Sequence, residues 1–426
     1  MKKIMIVGSA MLLLSSTAFA SKARLQSLGE DKDGSYYISD YRNVYINPSE
    51  LNSLGNMVVA EWGTAGYELQ RASIDPDYKP KAQGGVFYGL SNGLKVGAIL
   101  GDETDVASLT RMLASNVYGQ QPASAQFMQT ADNVVDVFVA GKGSINWGAN
   151  LLYSASKNEV VGTTGTTNRH DQNAYAVRLG ASQNAWNAHA LIALGAKSNA
   201  PDGQYTPSYK GKLGIRVGGG YDLTAENKMF GMYETYKWTQ DNSQDPERDG
   251  SFWKGQFGLG HIKKITDSSS LFAKLYAEVL QVKLAAAGSM VEAKIDRMAL
   301  PVTVGFEHKA LDWLTVRGSV VQNLFGTVKD SGLQQNFGDW TAATTNTGKV
   351  IRSLAAARYG SSLSGTGGKK TIANSTIVNA GAGLTFGSVV IDGLVSTTST
   401  AGTEDTKKGV LSLDNLETRV GITYNF

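Results

Sequence analysis

The chain has 426 residues, no cysteine, 49 glycines and 8 prolines, with 40 Lys and Arg against 37 Asp and Glu. Without cysteine there is no disulfide scaffold, thiolate metal site, iron–sulfur cluster or cysteine nucleophile. A hydrophobic content of 42% excludes a disordered chain, and the near balance of charge argues against nucleic-acid binding by a globally basic surface.

Residues 1–20 read MKKIMIVGSAMLLLSSTAFA. Lys2 and Lys3 form a charged head, Ile4 to Leu14 an apolar middle, and Ala18-Phe19-Ala20 a small-residue cleavage site before Ser21, the pattern of a signal peptide. Its removal takes two of the 40 basic residues and none of the 37 acidic ones, leaving 38 against 37. Mean hydropathy is −0.18. Beyond residue 20 there is no apolar run of the roughly 18 residues that a membrane helix needs. That test does not apply to a membrane β-barrel, whose strands expose lipid-facing residues only at alternate positions.

Residues 21–55 fit no membrane strand. Ala23 to Leu28 reads as a short helix, Tyr36 to Ile46 as an aromatic, half-alternating stretch, and Asn47-Pro48 as a turn. Tyr36, Tyr37, Tyr41 and Tyr45 together form a large apolar surface. Two placements are open: a plug inside a barrel lumen, or a periplasmic stub or extra edge strand.

From residue 56 to 426 the dominant pattern is period 2, which puts successive side chains on opposite faces of a strand. Trp147, Ala149, Leu151 and Tyr153 alternate with Asn146, Gly148, Asn150 and Ser154. The pattern recurs over Trp186–Leu194 and Leu213–Tyr221, and most plainly over Leu416–Phe426. Short turns at Ser91–Gly93, Gly141–Ser144, Gln183–Ala185, Thr224–Asn227, Thr266–Ser269, Leu311–Asp312 and Gly387–Ser388 alternate with long polar stretches. These stretches are Thr64–Lys81, Asp102–Asn133, Lys157–Gln172, Ser198–Lys210, Asp241–Gly250, Ala285–Val291, Thr327–Lys370 and Thr398–Asp414. Short periplasmic turns and long extracellular loops are the arrangement of an outer-membrane barrel. The expected fold is an all-β, transmembrane, antiparallel up-and-down barrel of about sixteen strands, with fourteen or eighteen as alternatives. Met229–Thr239 alternates poorly, and parity slips are expected near Leu280 and Asp296.

On this parity Lys95, Asp136, Arg178, Lys212, Arg216, Lys254, Lys274, Glu278, Arg317, Asp392 and Arg419 face the lumen. Opposed charges suit a water-filled pore, because they set a transverse field and tune ion preference. The alternative is a lumen packed with paired charges. Helical spacing occurs at Asp105–Ala114 and Val350–Arg358, within two of the long loops.

Catalytic chemistry finds little support. The four histidines, His170, His189, His261 and His308, form no His-Glu-x-x-His pair, and there is no Gly-x-Ser-x-Gly elbow or phosphate loop. No cofactor, metal site or enzyme activity is expected; the best hydrolase candidate would gather lumen Ser or Asp residues around His189.

Two family resemblances follow from these residues. The opening SKARLQSLGEDKDGSYYISDYRNVYINPSELN with the strand NMVVAEWG, together with the closing Tyr-Asn-Phe, resembles the porin-like major outer-membrane protein of predatory Bdellovibrio-type bacteria. That resemblance implies residence in the outer-membrane lipid of a Gram-negative cell, passage of small hydrophilic solutes, and a homotrimer as in many porins. Phe426 resembles the closing aromatic read by the barrel-assembly machinery. Asn47-Pro48-Ser49 resembles, at two of three positions, the Asn-Pro-Ala element of the N-terminal hatch in fatty-acid-transporter barrels. The main expectation is a passive porin; the alternatives are a plugged barrel carrying hydrophobic ligands, and a structural or surface-interaction barrel.

Overall fold

A computed structural model describes residues 21–65, 82–101, 133–161, 167–199, 208–241, 248–286, 292–331, 368–371, 376–397 and 416–426. The leader at 1–20 and the helical spacings at 105–114 and 350–358 lie outside the described residues.

The first elements are β1 (Met57–Ala65), β2 (Ala82–Gly89), β3 (Lys95–Leu100), β4 (Asn133–Gly141), β5 (Asn146–Val161) and β6 (Thr167–Gln183). Next come β7 (Trp186–Asn199), β8 (Ser208–Gly211), β9 (Gly214–Asp222), β10 (Asn227–Asp241), β11 (Arg248–Thr266) and β12 (Ser269–Ala286). The chain closes with β13 (Glu292–Leu311), β14 (Leu314–Ser331), β15 (Gly368–Thr371), β16 (Ile377–Phe386), β17 (Val389–Thr397) and β18 (Leu416–Asn425). Apart from the couples β8/β9 and β15/β16, each strand pairs antiparallel with its sequence neighbours, and β1 pairs with β18 from Met57↔Asn425 to Ala65↔Glu417, closing the sheet. Both β8 and β9 lie between β7 and β10, and both β15 and β16 pair with β14, so each couple is one interrupted stave. The eighteen strands among the described residues therefore make a closed barrel of sixteen staves. Closure leaves no free sheet edge, the condition for a β-structure surrounded by hydrocarbon.

The outer face carries the apolar parity: Val58, Trp62, Leu151, Leu179, Val217, Phe257, Leu275, Val304 and Val395 are all exposed. Tyr88, Trp147, Tyr221, Trp313, Phe386, Tyr424 and Phe426 are exposed beside the short turns, forming an aromatic girdle at that rim. Phe426 stacks on Tyr88 and Tyr424, with ring centroids 6.3 and 6.1 Å apart, and its N–H donates to the Asn56 carbonyl.

The three irregular places differ from expectation. Along β10 the buried side chains are Phe230, Met232, Glu234, Tyr236 and Trp238, an unbroken alternation. The pattern is faint in the sequence because the lumen face, with Phe230, Met232, Tyr236 and Trp238, is no more polar than the outer one, with Met229, Tyr233, Thr235 and Lys237. Between β12 and β13 the register is constant from Ser269↔His308 to Ala285↔Glu292, so parity does not slip at Leu280 or Asp296. Leu280 and Val282 simply face inward. The register shifts instead at Leu300/Pro301, where Leu324 of β14 is the extra residue, and at Tyr175/Ala176, where Leu194 of β7 is extra. The polar run Lys157–Gln172 is mostly strand, because β5 continues to Val161 and β6 begins at Thr167.

Candidate functional site: the lumen and its plug

Residues 21–55 fold inside the barrel. Ser21 caps the helix α1 (Lys22–Ser27), accepting from the Arg24 N–H, and Leu28 ends it. Asp40 and Asn47 cap two short 3₁₀ helices, Tyr41–Tyr45 and Pro48–Ser53, by accepting the N–H groups of Arg42 and Ser49. Capping matters because helices this short satisfy few of their own donors.

Two apolar clusters seat the segment on the wall. Tyr41, Val44, Tyr45, Leu51 and Leu54 pack with Met57, Val59, Phe87, Ile99 and Phe138 of β1–β4. Leu25, Leu28, Tyr37 and Ile38 pack with Phe272 of β12 and Ile262 of β11. The ring of Tyr45 meets Phe138 edge-on at 5.7 Å, and the Arg42 guanidinium lies 4.1 Å from the Tyr45 centroid. Tyr36 stacks on Phe230 at 5.1 Å, and its hydroxyl lies 2.8 Å from Nε2 of His189. All four tyrosines of the segment thus meet the wall or the core that rests on it.

Inward-facing glycines form the sockets. A Cβ on Gly180 would stand 1.9 Å from Oδ1 of Asn47, and one on Gly148 would stand 2.3 Å from the Pro48 carbonyl carbon. Gly260 faces the Tyr37 ring, Gly381 faces Ser27 and Gly421 faces Ser21. Around the Asn-Pro turn, Nδ2 of Asn47 donates to the Ala181 carbonyl and Nδ2 of Asn52 to the Trp147 carbonyl. The Ser49 and Ser182 hydroxyls are 3.0 Å apart.

The lumen charges are paired. Arg178 donates to Asp136 at 2.7 Å beside Asn150, Arg216 to Glu234 at 2.9 Å, and Lys254 and Arg297 flank Glu278 at 3.7 and 3.1 Å. Arg317 joins Glu307 at 2.5 Å and Asp392 at 2.6 Å. The plug enters the same network: Arg24 bonds to Glu307 and Asp40, Arg42 to Glu61 and Asp33, and Lys274 to Glu30. Lys95 donates from Nζ to the Leu54 carbonyl. Arg419 lies on the lumen parity opposite Gly63 and Leu394. Burial raises the Asp40 carboxyl to about 7, against the opposing effects of Arg24 and the Arg42 N–H. Burial, with Glu30 alongside, pushes the Tyr37 phenol well above its ordinary value.

Two sequence expectations need correction. Lys212 does not face the lumen. Against β10, the pairing shifts by one residue between β8 (Gly211↔Trp238) and β9 (Ile215↔Thr235). Lys212 thereby falls on the outer parity, where it is exposed and bonds to Asp249 at 2.7 Å. A one-residue shift exchanges the faces of a strand. The other lumen charges do not form open rings: Asp136, Arg178, Glu234, Arg317 and Asp392 are each no more than 3% exposed. Their charge is spent on partners and on holding the plug. The partners Glu61, Glu234 and Arg297 were missed, although Glu61 could have been found from the alternation of Val58, Ala60 and Trp62 with Val59 and Glu61.

Apolar side chains share the lumen parity with these charges and continue beyond them. Leu152, Leu191 and Leu280 sit opposite Asp136, Arg178 and Lys254, and Ala174, Ala176, Ala193, Tyr236, Trp238, Phe252, Val282 and Val328 are buried on the same parity. The indole of Trp238 lies against Gly250, and the rings of Tyr236 and Phe252 are 6.2 Å apart. Among the described residues no group of three or more His, Asp or Glu side chains is placed to hold a metal ion.

No family model matches the chain, and no curated protein does, so the porin-like resemblance of the N-terminal third rests on sequence alone. Solved structures of outer-membrane barrels align over most of its length. The toluene transporter TodX of Pseudomonas putida is 11% identical over 96% of this chain and 98% of its own, with a TM-score of 0.36. A FadL homologue of Pseudomonas aeruginosa is 11% identical over the same shares, with a TM-score of 0.42. The translocator domain of the autotransporter NalP from Neisseria meningitidis is 13% identical over 67% and 90%, with a TM-score of 0.28. Scores at this level establish no kinship.

The sixteen-stave barrel with an apolar belt outside and a folded plug within defines the class: a plugged membrane β-barrel.

Proposed function

We propose that the protein resides in an outer membrane and takes up small hydrophobic molecules, with residues 21–55 as the closing plug. One observation carries the reading: past the charge pairs, the inward parity of β10–β14 holds buried apolar and aromatic side chains, Tyr236, Trp238, Phe252, Val282 and Val328 foremost. A hydrophobic solute that enters among these buried side chains leaves water, a gain of about 25 cal/mol per Å² of its own apolar surface. They offer a hydrated ion only desolvation. A passive channel for hydrophilic solutes needs charged or polar groups facing water, whereas here the lumen charges are buried against partners.

The test pairs two measurements on one preparation. The purified barrel in planar bilayers should give no large steady current steps, and cells carrying it should take up a labelled alkylbenzene faster than cells without it. Large ohmic steps with no gain in hydrocarbon uptake would return the reading to a porin.

A further inference from the structure

We propose that the amino terminus created by cleavage before Ser21 is itself a structural group, an ammonium buried against Asp392 and Glu61 that locks the plug to the wall. Ser21 is 1% exposed, although in the sequence it sits at the junction of leader and plug. Its Oγ donates to Oδ2 of Asp392 at 3.2 Å, and the next backbone N–H, of Lys22, donates to Oε1 of Glu61 at 2.6 Å. The Ser21 side chain and the N–H that follows it thus each meet a carboxylate, one from β17 and one from β1. The wall at this point is cut to fit the residue: Gly421 lies opposite, where a Cβ would stand 2.3 Å from the Ser21 Cβ.

Charge gives a second, independent reason. The ion pairs around Ser21 comprise five carboxylates, Asp392, Glu307, Asp40, Glu61 and Asp33, and three guanidinium groups, Arg317, Arg24 and Arg42. Lys22 is buried in the same cluster, and Arg419 lies on the lumen parity nearby. A buried carboxylate that keeps its charge is costly unless a cation matches it. An amide nitrogen, as in the uncleaved chain, carries no charge, whereas a free amine adds a cation beside Asp392 and Glu61. The reaction is an ordinary hydrolysis: a signal peptidase adds water across the Ala20–Ser21 bond, leaving a carboxylate on Ala20 and a protonated amine on Ser21. Leader removal would thereby become a precondition for seating the plug, so that the lumen closes only in the processed protein.

The amine can be read directly. An exposed α-amine has a pKa of about 7.7–8.0 and is acylated readily near pH 7. In protein taken from native membranes, mass spectrometry should find Ser21 first, and acylation of its amine by a soluble reagent should be at least tenfold slower in the folded barrel than after heat unfolding. Equal rates in the two states, or a chain that begins elsewhere, would overturn the proposal. A refolded chain carrying Gly-Ser ahead of Ser21 should form a barrel whose plug is cut by trypsin after Arg24 at least tenfold faster than in the chain that begins at Ser21. Equal protection would also overturn it. Should the extended chain fail to refold, the acylation ratio on the native protein still decides.

Discussion

Arg24 of the plug and Glu307 of β13 are joined by two N–H···O bonds, of 2.9 and 3.3 Å, although 283 residues separate them. Glu307 also accepts from Arg317, which reaches on to Asp392. One carboxylate thus ties the plug to β13 and β14 and, through Arg317, to β17.

Removing that carboxylate leaves two guanidinium groups short of a partner. Breaking a buried pair typically costs about 3–5 kcal/mol. Glu307→Ala should release the α1 end of the plug while the strand ladders hold the barrel, so trypsin should cut after Arg24 rapidly and heat-modifiable migration should persist. Charge reversal of Arg216 and Arg317 to glutamate would be worse tolerated than parity alone implies, because it sets like charges against Glu234, Glu307 and Asp392. Full stability of the double variant would mean that these pairs are not formed.

The sockets make a steric prediction. Gly180→Leu should unseat the Asn47-Pro48 turn, since even a Cβ there collides with Asn47 and Pro48. Conductance in planar bilayers should then rise in a barrel that still folds. Gly393→Ala is the control, because its Cβ meets nothing within 4 Å. A silent Gly180 variant would place the turn elsewhere.

Uptake should depend on the inward apolar side chains of β10–β14. Val282→Thr keeps nearly the same size but brings a hydroxyl that must be desolvated or paired in the lumen. Hydrocarbon uptake should fall several-fold with no loss of folded protein. Unchanged uptake would remove these side chains from the path.

Plug seating should also depend on pH. Asp40 has a value of about 7 in the seated plug against an ordinary 3.8, so the seated state holds a proton that the released segment gives up. Its contribution is complete below about pH 4, declines as pH rises toward 7, and is flat above that. Protection of the plug from trypsin should therefore weaken between pH 5 and pH 8. Asp40→Asn keeps an oxygen to cap Arg42 and should remove this dependence; a slope unchanged in the variant would assign it to other groups.

Much of the barrel was legible because a membrane strand is a local pattern. The alternation of Leu416, Thr418, Val420, Ile422 and Tyr424 with Glu417, Arg419, Gly421 and Thr423 is fixed by the two-residue period of an extended chain, with one face for lipid. The short turns between strands are equally local. β10 was obscured because its lumen face, with Phe230, Met232, Tyr236 and Trp238, is as apolar as its outer face, and periodicity reports only a difference between faces. The partners of the lumen charges were beyond the sequence, since parity tells which way Arg317 points but not that Glu307, Asp392 and Arg24 converge on it. The same holds for residues 21–55. Their four tyrosines announce a surface to be buried, but the burial site is made of glycines and aromatics from distant strands, which only closure of the barrel brings together.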